Sequence, residues 1–141
     1  MRTRLSLRVV GTAALGAAVG AAAFLAFSEE DRLGRIDTPG GTMVVAIADT
    51  PAARSAGLSN RDELRGIDGL LLKWDEAGRH PIWMAGMRSP LDLIWIDGQG
   101  RVLAVLANVP PCRAESCPLY EPDGTADSVA VLELPARRAH D

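Results

Sequence analysis

Histidine, cysteine and aromatic residues are all scarce in this chain. Its 141 residues include two histidines, two cysteines, three tryptophans, one tyrosine and two phenylalanines. His80 is the only histidine in the body of the chain, since His140 lies in the tail. One histidine and two thiols fall short of the ligand sets that metal centres need, so no metal or cofactor is expected. No Gly-x-Ser-x-Gly element, phosphate-binding loop or dinucleotide fingerprint appears, which leaves serine-hydrolase and nucleotide chemistry without support. A basic run is missing too. Residues 28–141 hold 12 of the 15 basic residues and all 18 acidic ones, a net charge of −6. Such a balance argues against a nucleic-acid partner.

One long apolar run is present. Val9 to Phe27 is a stretch of 19 residues without charge, 15 of them apolar, preceded by Arg2, Arg4 and Arg8 and followed by Ser28-Glu29-Glu30-Asp31. As a helix it reaches roughly 28 Å, close to the thickness of a bilayer's hydrocarbon. Residues 1–28 therefore read as a signal peptide or a single-span membrane anchor with its basic end in the cytoplasm. Small residues at Ala21-Ala22-Ala23 and Ala26-Phe27-Ser28 suit a signal peptidase, so both outcomes stay open. Either one places the remainder outside the cytoplasm, at the cell membrane or secreted into the periplasm, with the membrane as a partner through residues 9–27.

Beyond a charged and glycine-rich stretch at 29–41, read as a linker, short strand signals recur. Thr42 to Ala48 is β-branched and apolar. Asp49-Thr50-Pro51 through Gly57 carries a capping Thr, Pro at the first helical position and Gly past the end, which predicts a short helix. Asn60 and Glu63 suggest a second cap before Leu64. Leu70–Trp74, Pro81–Ala85 and Leu91–Asp97 read as strands, and Asp97-Gly98-Gln99-Gly100 turns the last of these into Val102–Val109 as a hairpin. Val129–Leu134 is the final strand. The fold class expected is mainly β: a small, mostly antiparallel barrel or sandwich with one or two short helices, preceded by an apolar helix.

Several blocks carry a family resemblance: Ala48-Asp49-Thr50-Pro51 with Arg54 and Gly57-Leu58, Asp68-Gly69-Leu70-Leu71, Trp83-Met84 with Pro90-Leu91-Asp92, Ile96-Asp97, and Val131-Leu132-Glu133-Leu134. In this order, over residues 42–136, they resemble the family named domain of unknown function 192. The resemblance implies a small β-barrel-like domain behind a signal or membrane segment, and no agreed activity. Two departures stand out. Ala85-Gly86 replaces the Lys-Asn common after the Trp-Met pair, and residues 137–141 form a tail where members continue into another strand. A missing strand predicts an unpaired sheet edge.

The candidate site residues are Asp92, Trp83, Met84, Asp49 and Arg54. Asp92 enters an apolar strand, so it must be paired, with Arg54 or Arg88, or hydrogen-bonded. It reads as a structural acid at the turn or as a ligand contact at a barrel mouth; Asp49 reads as a helix cap or as the same kind of contact. Trp83, Met84 and Met87 fill the core or line a binding ledge. Cys112 and Cys117 predict a disulfide clipping one loop, with a redox pair as the alternative. The leading expectation is a non-enzymatic exported or membrane-tethered accessory domain that binds a small molecule or an envelope protein. The alternatives are a cell-envelope hydrolase using Asp92, Asp49 and His80, and a redox accessory protein using the cysteines.

Overall fold

The computed structural model describes residues 3–9, 32–61, 64–124 and 127–137. The elements in chain order are β1 (Ser6–Val9), β2 (Arg32–Thr38), β3 (Gly41–Ala48), α1 (Pro51–Ala56), β4 (Gly69–Gly78), β5 (Ile82–Trp83), β6 (Leu91–Ile96), β7 (Val102–Val109), β8 (Leu119–Tyr120) and β9 (Ser128–Pro135). Seven strands form one sheet in the order β1-β2-β3-β4-β9-β6-β7, and β5 pairs with β8 in a small ribbon. Every pairing in the main sheet is antiparallel except β3 with β4. The chain makes that parallel return through α1 and the loop after it.

Local chemistry explains α1. Thr50 Oγ1 accepts the Ala53 N–H at 3.1 Å, Pro51 opens the first turn, and Gly57 takes φ 51° as its N–H bonds Ala53 O. No second helix stands at Asn60: its φ of 60° turns the chain where an N-cap needs extended backbone. Glu63 lies outside the described residues.

Both faces of the sheet are apolar, because its central strands are buried on both sides. One face carries Ala46, Ala48, Leu70, Leu72, Leu93, Trp95 and Val131, and Leu58, Ile82, Met84 and Met87 from the loops and ribbon cover it. The other carries Ile36, Val45, Leu71, Ile94, Ile96, Ala130, Leu132 and Leu134, with Leu5, Met43, Val102 and Val129 against it. We call these the covered face and the concave face. The sheet curls far enough for Arg4, before β1, to bridge Arg101, before β7.

Three sequence expectations are corrected. The sheet is not a closed barrel, because a single bridge joins its two ends where a barrel needs a full ladder. Residues 32–41 are no linker: Arg32–Thr38 pairs with Gly41–Ala48 along its whole length, and Thr38 to Gly41 turns the hairpin. No unpaired edge adjoins the final strand, since β9 lies between β4 and β6. The apolar run falls outside the described residues except for Val9. Among the described residues no helix is long and apolar enough to cross a membrane.

Candidate functional site

A cavity of about 350 Å³ opens on the covered face, between α1, β4, the β5–β8 ribbon and β9. Its size suits one small organic molecule. Glu133, on β9, reaches it from the centre of the sheet, where the side chain is 1% exposed. The register explains the direction. Glu133 lies opposite Leu93 and Leu70, which belong to the covered face, while its neighbour Leu134 belongs to the concave one. Its Oε2 atom is buried and has no hydrogen-bond partner among the described residues. Burial without a partner disfavours the charge, which pushes the carboxyl up from 4.5 to about 7. At neutral pH this group holds its proton part of the time, so it can donate or accept a hydrogen bond. Buried polar atoms are satisfied in nearly all folded proteins, which makes such an atom at the floor of a cavity a mark of a site.

The walls come from distant parts of the chain. Trp83 stands at the mouth, 49% exposed, near Leu119, which is 63% exposed. Trp74 is held by two neighbours. The His80 ring stacks on it with centroids 3.9 Å apart and an interplanar angle of 5°, and the Arg54 guanidinium carbon lies 5.3 Å from its centre. Arg54 is fixed by its own Nη1, which donates to Asp49 O and to Lys73 O, both at 2.8 Å. The Trp95 indole N–H donates to His80 O at 2.9 Å and so anchors the loop before β5. Gly57 closes the α1 side. A Cβ there would come 3.8 Å from Glu133 Oε2, so the helix end passes close to the carboxyl.

Of the residues singled out from sequence, Trp83, Met87 and Arg54 line this cavity; Met84, Asp49 and Asp92 do not. Met84 is wholly buried and packs in the core. Asp49 bonds Arg32 at 2.7 Å, and Thr50 beside it does the capping. Asp92 is fully buried on β6, and the side chain lies on the opposite face of the sheet from Glu133, since its register partner is Leu134. Asp92 Oδ1 accepts the Asn108 N–H at 2.7 Å. That bond bridges a bulge between β6 and β7, where the register shifts between Leu91 and Leu93 and Asn108 takes φ 55°. Neither this cavity nor three others on the described residues is lined by two of Asp49, His80 and Asp92, and no group of three potential metal ligands occurs among those residues.

Cys112 and Cys117 form a disulfide. It closes the 112–117 loop next to the Trp83-Met84 segment, where Cys112 N–H bonds Met84 O at 3.0 Å. The clip therefore braces the mouth of the cavity from behind. At the far end of the sheet, Asp97 sits in the β6–β7 turn. Burial works against its charge, but the Arg101 and Gln99 N–H groups and the Arg101 side chain hold its carboxyl below the ordinary range.

Sequence reading missed Glu133 as a site residue. The signal was one charge inside the run Val129–Leu134, in a strand that had to be buried.

The model of the DUF192 family, described as uncharacterized ACR, matches residues 35–141. The chain belongs to this family. The match runs from the middle of β2 through β9, so every wall of the cavity lies inside the shared DUF192 domain. No curated protein matches. Among solved structures, a proposed transcription regulator from Sinorhizobium meliloti 1021 is 27% identical, with a TM-score of 0.61 over 72% of this chain and 78% of that one. A protein of unknown function from Novosphingobium aromaticivorans DSM 12444 is 24% identical, with a TM-score of 0.67 over 93% of this chain and 91% of that one. The second likeness concerns the fold alone.

Proposed function

We propose that this DUF192 chain is an extracytoplasmic binding domain, exported or tethered by residues 9–27, that takes a small molecule in the cavity beneath Trp83. One observation carries the binding reading: Glu133 Oε2 is buried at the cavity floor with no partner among the described residues. The fitting ligand brings an N–H or O–H group to that oxygen and an apolar body to Leu72, Met87 and the Trp83 ring. Among the described residues the hydrogen bonds of Arg54 run through Nη1, which leaves its other donors for an acceptor on the outer end of the ligand. The export reading is supported by the basic-then-apolar N-terminal sequence and by the disulfide, a bond that persists in oxidising compartments.

The test is calorimetric titration with small amines, amino acids and monosaccharides. One class is expected to bind, and Trp83→Ala and Glu133→Leu are expected to abolish that binding while thermal unfolding stays cooperative. Binding that survives both substitutions would place the site elsewhere.

A further inference from the structure

The second apolar surface of the sheet carries a different site. The two ends of the strand order, β2 with its partner β1 and the start of β7, face each other across the concave face. One extended segment, Thr3–Val9, fills the gap between them. Its first residues bond the β7 side: Leu5 N–H donates to Gly100 O at 2.7 Å and Val102 N–H to Thr3 O at 3.3 Å. The following ones form a ladder with β2, Ser6 opposite Asp37 through to Val9 opposite Gly34. Leu5 packs on the concave cluster, and Leu5 and Leu7 line cavities of about 470 and 330 Å³ on that face. Arg4, Ser6 and Arg8 are exposed; Leu5 is half-buried, and Leu7 is 37% exposed while still lining the smaller cavity. Glycines stand where the segment passes closest. A Cβ on Gly100 would collide with Leu5 O, and one on Gly34 would lie 2.9 Å from Ile47 Cδ1 and 3.2 Å from Leu7 Cδ1.

This placement and the export reading exclude one another. Val9 pairs with Gly34 on adjacent strands, which lie about 5 Å apart. A helix over residues 9–27 that spans a bilayer holds its ends roughly 30 Å apart on opposite sides. Cleavage at Ala23 or Ser28 cuts the segment loose instead. Export by either route empties the gap and leaves the edges of β2 and β7 unpaired beside an apolar floor.

We propose that the gap between β2 and β7 is an acceptor groove for an extended peptide. Thr3–Val9 holds it in the unprocessed chain. Once export has drawn that segment away, it takes a strand of another protein with apolar side chains at two alternate positions. Backbone bonds to both edges supply affinity, and the places of Leu5 and Leu7 supply selectivity. The vacating step rests on the export reading; the groove itself does not.

The test uses the full chain with a site-specific protease sequence inserted after Ser28. The purified protein is cut, residues 1–28 are washed away in mild urea, and a fluorescent peptide of residues 3–9 is titrated by anisotropy. Saturable binding is expected to the cut chain and not to the uncut one. A peptide carrying Leu5→Asp and Leu7→Asp should bind more than about tenfold more weakly, as loss of the half-buried Leu5 and of the Leu7 contact with the groove requires. Equal binding of both peptides, no binding of either, or loss of the β circular-dichroism signal on removing residues 1–28 would each overturn the groove. N-terminal sequencing of the protein recovered from the cell envelope tests export separately. A cytoplasmic protein starting at Met1 would end the export reading while leaving the peptide result intact.

Discussion

Replacing Glu133 by Gln keeps the shape of the side chain and removes its ionisation. In the folded chain its carboxyl titrates at about 7, against 4.5 for the ordinary group, because burial disfavours the charge. Between these two values the folded state holds a proton that the unfolded state has released. The contribution to stability is therefore complete below about pH 4.5 and is lost as pH rises through about 7. At 1.36 kcal/mol per pH unit, the wild-type protein gives up about 3 kcal/mol that Glu133→Gln does not. Urea unfolding of both proteins at pH 4.5, 6 and 8 measures this directly. The variant is expected to gain on the wild type steadily across that range and to level off above pH 8. A difference that stays constant with pH would refute the reasoning, since it would mean that the folded chain ionises Glu133 as readily as the unfolded one does.

Other substitutions test the scaffold around the site. Asp92→Ala removes the acceptor that bridges the β6–β7 bulge, and should cost about 2 kcal/mol as a fall in the urea midpoint with an unchanged slope. Cys112→Ser with Cys117→Ser opens a short loop, for which the chain-entropy account gives a loss of about 2 kcal/mol, read as a lower unfolding temperature equal to that of the reduced wild type. Gly69→Ala places a Cβ against Glu133 O and 2.6 Å from Leu134 Cδ2, where β4 meets β9. That crowding should cost about 3 kcal/mol and broaden the amide spectrum around β9.

The parts of the fold with local punctuation were legible from sequence. Thr50-Pro51 and Gly57 bracket a helix through capping geometry alone, and Asp97-Gly98-Gln99-Gly100 turns a hairpin whatever the rest of the chain does. Elements fixed by distant partners were not. Arg32–Thr38 is charged and runs into Pro39-Gly40-Gly41, so it reads as a linker; only the facing strand Gly41–Ala48 makes it a strand. The two-residue strands β5 and β8 exist through each other, 36 positions apart at Trp83 and Leu119. The site divides the same way. Trp83 was singled out as an aromatic ledge and Arg54 as a partner for Asp92, and both line the cavity. Glu133 was passed over because its meaning depends on which face of β9 it shares, and that follows from the register with Leu93 and Leu70. Asp92 looked the stronger carboxylate from its setting among apolar residues, yet its oxygen is engaged by the bulge at Asn108.

The central claim is that the cavity over Glu133 is a binding site. It is tested most directly by amide and indole NMR spectra of the labelled chain during titration with small amines, amino acids and monosaccharides. The account predicts that one class shifts a compact set of signals, the Trp83 indole and the backbone of Arg54, Gly57 and Glu133. Shifts gathered instead around Leu5, Met43 and Leu132 on the concave face would contradict it, as would spectra that no class changes.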